Sequence, residues 1–301
     1  RTWWEYTGPH ARWLVPVVDG VPVPVSQDVL RAPTRSDEEL SLPALVIADV
    51  PMQPDRRRLL PGAPVAGLVR GYADFVAALP PRHRPSMVPV PGFARSEVDA
   101  LLREAVLQEL RAHPWLPPAD GGDDLLPDRA TALTGLTDEL AGVLADVVPG
   151  LIRPDLCGPR HAAALGAVDV HRLGPARIAE LLAGVEREPA WWYRLYEALT
   201  PLVVDAVVAE ELAAIPVPLS DGRTVTGPRT TVLGTDVGHL RLPWVRLVHP
   251  DAAHPLLTRL VAGTVTAADL LADPALLAAV EDVDAADCEA TTELADVVLR
   301  L

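Results

Sequence analysis

Lysine and asparagine are both absent from the 301 residues of this chain. Without lysine there is no Gly-x-x-x-x-Gly-Lys-Ser/Thr loop to cradle a nucleotide's phosphates. No Gly-x-Gly-x-x-Gly, Gly-x-Ser-x-Gly or His-Glu-x-x-His motif is present either, which removes the common dinucleotide, hydrolase-elbow and zinc-protease readings. Cysteine is scarce: Cys157 and Cys288 lie far apart with no Cys-x-x-Cys spacing. That argues against a structural zinc site or a disulfide framework and for reduced thiols in a cytosolic protein. No apolar run approaches the roughly 20 residues of a membrane helix. Basic charge is also short, with 26 Lys+Arg against 41 Asp+Glu, a net charge of -15 and a pI near 4.9. A protein that binds nucleic acid by neutralising phosphates needs the opposite balance. The start, Arg1-Thr2-Trp3-Trp4, has neither an initiator Met nor a signal-peptide pattern and reads as an internal section of a longer protein.

What is present is the composition of a globular chain. Apolar residues make up 49%, enough for two or three modest cores. The aromatic and β-branched runs Thr2 to Tyr6 and Arg12 to Val17, joined by Thr7-Gly8-Pro9-His10, predict a β-hairpin. Ala44 to Ala48 is continuously apolar and predicts a strand buried on both faces. Pro64 to Leu79 predicts a helix, with Val65, Leu68, Val69, Tyr72 and Val76 on one side. Ser96 predicts an N-cap, with Asp99 in a loose capping-box position, for a helix carrying Leu102, Val106 and Leu110 and ending before Pro114. Helices are also expected near Pro274 to Val280 and Thr291 to Leu301, in a C-terminal stretch from Asp251 whose only basic side chains besides histidine are Arg259 and Arg300. That acidity reads as a solvated helical face.

Two stretches about a hundred residues apart resemble each other. Glu109 to Pro117, Asp120-Gly121 and Pro127 to Leu133 answer Glu211 to Leu219, Asp221-Gly222 and Pro228 to Leu233. Ile152-Arg153-Pro154-Asp155 answers Val248-His249-Pro250-Asp251, and Ile178 to Leu182 answers Ala267 to Leu271. An internal duplication of this length points to a modular scaffold. Each copy predicts a Pro-punctuated strand, a turn, a second strand, a Pro-Asp turn whose Asp155 or Asp251 could cap a helix, and a short closing helix. The expected fold is α+β: three consecutive modules of short hairpins and sheets packed with helices. Their boundaries are 1–94, 95–188 and 189–301, the last two being the copies.

Chemistry is sparse. His249, Asp251 and His254 are the nearest thing to a metal cluster, but their counterparts are Arg153, Asp155 and Gly158. A structural Pro-Asp turn accounts for both copies, a metal for only one. Asp120 to Asp124 lacks the alternating ligands of a calcium loop and reads as a solvated turn. Trp191, Trp192, Tyr193 and Tyr196 sit at helical spacing, as core aromatics do. The remaining candidate is Pro51 to Leu60, where Arg56, Arg57 and Arg58 follow a buried strand in an acidic chain. Arginine grasps phosphate or carboxylate bidentately and stabilises charge at a transferring phosphoryl group. The alternative is a solvated loop pairing with nearby acids.

Pro51, Met52 and Arg56 resemble the middle-domain segment of the ninety-kilodalton heat-shock chaperones, which reads Pro, a large apolar residue, Asn, an apolar residue, Ser, Arg. Gln53, Pro54 and Asp55 depart from it. Asp55-Arg56-Arg57, Trp3-Trp4, the Asp221 to Arg229 hairpin and Val248 to Pro255 are similar to sacsin-type proteins and their actinobacterial relatives. The resemblance implies a region that follows an N-terminal ATPase domain. The nucleotide site of that domain needs a Glu-x-x-x-Asn-x-x-Asp helix, which a chain without asparagine cannot supply. It implies that Arg56 or Arg57 reaches the γ-phosphate of ATP, held with Mg in the upstream domain, that 1–94 docks on that domain, and that the two copies form an arm for client or partner proteins. The chain itself would then be no enzyme, hold no cofactor or metal, touch neither nucleic acid nor membrane, and be cytoplasmic. The alternative is a nucleotide-independent protein-interaction scaffold.

Overall fold

A computed structural model describes residues 2–281, without 236, 239, 241 and 243, together with 299. Its contacts divide the chain into two compact units, 1–173 and 174–301. The fold is α+β. The expected helix at 291–301, Cys288 and most of the acidic end lie outside the described residues.

The first unit opens with β1 (Thr2–Thr7) and β2 (Ala11–Val18), the expected hairpin, in a register that pairs Trp4 with Val15 and Tyr6 with Trp13. Side chains on a strand alternate between faces, so Ala11, Trp13 and Val15 go into the core while Arg12 stays outside. β3 (Val21–Pro22) folds back on β2, and β4 (Asp28–Ala32), β5 (Thr34–Leu40) and β6 (Leu45–Ala48) complete a six-stranded sheet of order β1-β2-β6-β4-β5. The apolar run of β6 is explained by its place between β2 and β4. β5 has no such signature in the sequence. It is an edge strand in which only Ser36 and Leu40 are buried, and charged residues on an edge also discourage further pairing. Ser36 is satisfied by donating to Leu30 O at 2.7 Å.

The helix predicted over 64–79 is two pieces. A 3-10 turn at Val65–Val69 is followed by α1 (Tyr72–Ala77), with Gly71 between them at φ 83. That left-handed backbone favours glycine, and a Cβ there would lie 3.2 Å from Pro9 Cδ. The ring of Tyr72 packs edge-on to Trp13 at 4.6 Å, and its hydroxyl donates to Met87 O at 2.7 Å. α2 (Glu97–Ala112) starts at the expected Ser96 cap, whose hydroxyl accepts from Asp99 N at 3.0 Å, and buries Leu102, Val106 and Leu110 completely. Asp99 does not complete a capping box on Ser96. Its fully buried carboxylate accepts from Arg95 N, Ser41 N and the Ser41 hydroxyl.

Downstream of α2, β7 (Thr131–Leu133), α3 (Asp138–Leu144), α4 (Ala162–Ala167) and β8 (His171–Leu173) surround a core that includes Trp115, Leu116, Leu140, Leu144, Ile152 and Leu156. β7 and β8 pair in parallel. The second unit contains α5 (Pro175–Leu182), α6 (Pro189–Leu199), α7 (Ala206–Glu211), β9 (Pro216–Pro218), β10 (Thr224–Thr226), β11 (Val232–Gly234), α8 (Pro255–Arg259), β12 (Gly263–Val265), α9 (Ala267–Leu271) and α10 (Pro274–Glu281). β9 and β10 form the expected hairpin through an Asp221-Gly222 turn with Gly222 at φ 88, and β11 pairs with β12 in parallel.

Matching backbone hydrogen bonds recur in the two stretches that resemble each other in sequence. Thr131 N donates to Gly150 O at 2.7 Å and Ile152 N to Thr131 O at 3.0 Å, while Val232 N donates to Arg246 O at 3.0 Å and Val248 N to Val232 O at 2.9 Å. Arg153 N reaches Pro117 O as His249 N reaches Pro218 O, and His171 N reaches Ala130 O as Gly263 N reaches Thr231 O. A non-glycine residue of positive φ stands two positions before each closing strand, Asp169 at 63° and Val261 at 73°.

The expected caps in this region are replaced. Asp155 binds the Arg153 guanidinium at 3.1 Å instead of capping a helix. In the second unit the capping acceptors are histidines: His249 Nδ1 accepts from Asp251 N at 3.2 Å, and His254 Nδ1 accepts from Leu256 N at the start of α8 at 3.0 Å. An imidazole nitrogen can substitute for a carboxylate or hydroxyl oxygen because only a lone pair is needed.

Candidate functional site

Residues 51–60 leave the buried end of β6 as a narrow hairpin. Met52 bridges Leu59 antiparallel, Leu60 N donates to Pro51 O at 2.9 Å, and Gln53 N donates to Arg58 O at 2.8 Å. The tip closes through Arg56 N donating to Gln53 O at 2.8 Å. Pro54 pre-sets the backbone for such a turn, and Asp55 adds an Asx-type brace by accepting from Arg57 N at 3.0 Å.

The hairpin is also tied to the sheet. Asp37 N on β5 donates to Arg57 O at 2.7 Å, Glu38 Oε1 accepts from Leu59 N at 3.3 Å, and Leu59 is buried as an anchor. Arg56 is therefore the last residue of the turn at the tip of a braced loop, with φ at 57°. Left-handed backbone costs a residue with a Cβ about 1–2 kcal/mol, and glycine or asparagine would avoid most of that.

Arg56, Arg57 and Arg58 are all exposed, and among the described residues none of the three is ion-paired. They differ in surroundings. Arg58 lines a cleft of about 820 Å³ together with Asp37, Glu38, Glu39, Arg95 and Glu97. Those carboxylates give Arg58 a local counter-charge and make the cleft a poor seat for a phosphate. Arg56 and Arg57 do not line it, so their guanidiniums are the ones open to an anion approaching from outside. The sequence singled out the three arginines but missed their supports, Glu38 and Asp37, because β5 was not legible as a strand. The Asp55 brace was signalled by an Asp two residues before Arg57.

The other sequence candidates take structural places. Of the four aromatics expected in the core, Trp192 and Tyr196 are buried in α6, with the Tyr196 hydroxyl donating to Pro216 O at 2.6 Å, whereas Trp191 is half-buried and Tyr193 exposed. His254 is buried, edge-on to Tyr193 at 4.9 Å, and burial holds its pKa below the ordinary value, partly offset by the charge of Glu197. Among the described residues no group of three or more His, Cys, Asp or Glu side chains is arranged to hold a metal ion. Asp120 Oδ1 accepts from Gly122 N at 3.0 Å, and Asp124 pairs with Arg84. Cys157 is buried, and its thiol is pushed up to about 11 by burial. Among the described residues no helix is long and apolar enough to cross a membrane. No family model, curated protein or solved structure matches the chain.

Proposed function

We propose that this chain is the nucleotide-sensing and partner-contacting region of a sacsin-like, chaperone-type ATPase, with Arg56 and Arg57 as the residues that meet the γ-phosphate of Mg-bound ATP held by an upstream domain. The observation that carries the reading is the Arg56 backbone. A residue with a Cβ is kept at φ 57 on the tip of a hairpin braced from β5, where glycine would be less strained. Val261 and two aspartates also keep positive φ, so the support comes from strain combined with an exposed guanidinium that has no ion-pair partner among the described residues. A rigid mount also suits charge stabilisation at a transferring phosphoryl group, which depends on donors positioned before the reaction.

The first module, 1–94, docks on the ATPase domain in this proposal. The modules 95–188 and 189–301, taken as copies on their sequence likeness and matched hydrogen bonds, form an arm for client or partner proteins. The chain alone turns over no substrate, and the setting is the cytoplasm.

The test is ATP hydrolysis by the native protein or complex containing this chain, with Arg56 and Arg57 changed to Ala singly and together. Turnover should fall by about 100-fold or more, the usual loss when a transition-state donor is removed. Arg56→Gly is the sharper variant: it should stabilise the fold by up to about 1 kcal/mol while lowering turnover as Ala does. Unchanged turnover in the double variant would overturn the nucleotide-sensing role and leave a nucleotide-independent scaffold.

A further inference from the structure

The tripeptide Pro-Arg-His occurs twice in the first unit, at 81–83 and at 159–161. Both copies lie in 3-10 turns that begin at the proline, Pro81–Met87 and Pro159–His161. In both, the arginine folds onto the histidine that follows it. Arg82 Nε donates to His83 Nε2 at 3.0 Å, and Arg160 Nε donates to His161 Nε2 at 2.9 Å. Each imidazole thus serves as an acceptor at Nε2 and stays neutral, while each guanidinium is oriented through its Nε.

The two turns are neighbours. The 81–87 turn packs against the 3-10 turn at Pro154–Leu156 and against α4, between which the second Pro-Arg-His lies. His83 is held below its ordinary pKa by burial and by the charges of Arg82 and Arg160; His161 is held down by burial, Arg160 and His83, with Asp155 acting the other way. The nearby carboxylates are already engaged, Asp124 by Arg84 at 2.8 Å and Asp155 by Arg153 at 3.1 Å. Among the described residues neither Arg82 nor Arg160 is ion-paired. In a chain of net charge -15, four basic side chains gather here, and the carboxylate whose charge reaches them, Asp155, is already held by Arg153. Arg82 and Arg160 are exposed, whereas His83 is half-buried and His161 is buried.

Two exposed guanidiniums and two imidazoles suit a compact, multiply charged anion with several acceptor oxygens, which is the chemistry of a phosphate group. We propose that Arg82, His83, Arg160 and His161 form a phosphate-binding site that takes either a free phosphate anion or a phosphorylated side chain of a partner. Binding is linked to proton uptake. An anion placed here offsets the guanidinium charges and favours the imidazolium forms, which release the Nε2 acceptor role and donate instead. Asp155 acts on His161 in the sense of the anion, favouring the imidazolium, and is held by Arg153, while Arg82 and Arg160 are the cations that oppose it.

The experiment is histidine-resolved NMR titration of the full chain with and without inorganic phosphate, sulfate and a phosphoserine peptide. His83 and His161 should titrate at higher pH when phosphate or sulfate is present, and His171, whose Nε2 lies 2.8 Å from Asp128 O, should not move. Arg82→Gln or Arg160→Gln should weaken binding about 10-fold, the loss expected for one charge-assisted contact, with the His171 signal reporting an intact fold. His83→Gln with His161→Gln should retain binding and lose its pH dependence. Tighter binding of the phosphoserine peptide assigns the site to a phosphorylated partner, and equal binding assigns it to the free anion. The proposal is overturned if phosphate leaves both midpoints where they were, or shifts them equally in the double Arg82→Gln, Arg160→Gln variant.

Discussion

Replacing Asp99 tests the reading that a buried carboxylate ties α2 to the sheet. Asp99 is fully buried and its two oxygens accept three hydrogen bonds, from Ser41 N at 2.9 Å, the Ser41 hydroxyl at 2.7 Å and Arg95 N at 2.9 Å. Asp99→Ala strands two backbone N–H groups and a hydroxyl, and an unmade buried bond costs about 1–3 kcal/mol. Two effects pull toward the low end. Ser41 is half-buried and Arg95 exposed, so water can reach some of the freed donors, and deleting a buried charge recovers part of its desolvation. The expected net loss is therefore about 3 kcal/mol, or roughly 6–12 °C in the midpoint of a unit this size. Asp99→Asn keeps the shape but replaces one acceptor oxygen with an amide N–H. Either orientation of the amide turns that N–H toward a backbone N–H, of Ser41 or of Arg95, so the loss should be about 2 kcal/mol. Ser41→Ala, which removes only a hydroxyl, should cost about 1 kcal/mol. Urea unfolding followed by hydrogen exchange in α2 and β2 peptides reads the first unit alone. If Asp99→Asn were as stable as the parent, the second oxygen would be holding nothing and the argument would fail.

Four further outcomes follow from named contacts. Arg84 is nearly buried, donates to Leu79 O and Trp115 O and pairs with Asp124, so Arg84→Met should destabilise the first unit by about 3 kcal/mol. Asp124→Asn, at a more exposed partner, should cost about 1 kcal/mol in the same urea titration. Gly71→Ala should cost about 1–2 kcal/mol, because alanine is strained at φ 83 and its Cβ meets Pro9 at 3.2 Å. His254 caps α8 as a neutral acceptor with a lowered pKa. The unfolded state then binds its proton first, so the contribution is full above the ordinary histidine pKa of about 6.5 and is lost as pH falls from there through the lowered folded-state value. His254→Asn keeps a capping acceptor without the titration. Thermal midpoints should show the parent losing stability relative to this variant between about pH 7.5 and 5.5, and a constant difference would refute the cap.

Much of the fold was legible because period and punctuation agreed with burial. β1 and β2 alternate, β6 is apolar throughout, and α2 carries its apolar residues at helical spacing between Ser96 and Pro114. β5 was illegible because its residues Thr34 to Glu39 are polar: an edge strand covered on one face needs only Ser36 and Leu40 inside. The helix expected over 64–79 failed at Gly71, whose left-handed conformation is set by the approach of Pro9 and by its N–H donating to Glu109 at 2.9 Å. Neither partner is near in sequence. The role of Asp99 was hidden for the same reason, since Ser41 lies 58 residues away. The two Pro-Arg-His turns could be found as a repeated tripeptide, but only tertiary packing makes them neighbours.

The histidines and arginines separate on one criterion, whether the local geometry is satisfied without a ligand. His249 and His254 each spend a ring nitrogen on a backbone N–H, and His254 is also buried against Tyr193. At Arg56 the reverse holds. The 53–58 turn is braced by Gln53 N to Arg58 O, Arg56 N to Gln53 O and Asp37 N to Arg57 O, yet Arg56 contradicts local preference and its charged end has no partner among the described residues. Glycine takes the positive-φ positions 71 and 222, whereas Asp19, Arg56, Asp169 and Val261 are non-glycine residues at positive φ; of these Arg56 is the one that carries a guanidinium. Keeping arginine there is a local conflict with no compensating contact inside the fold, and such conflicts are where a binding role is to be sought.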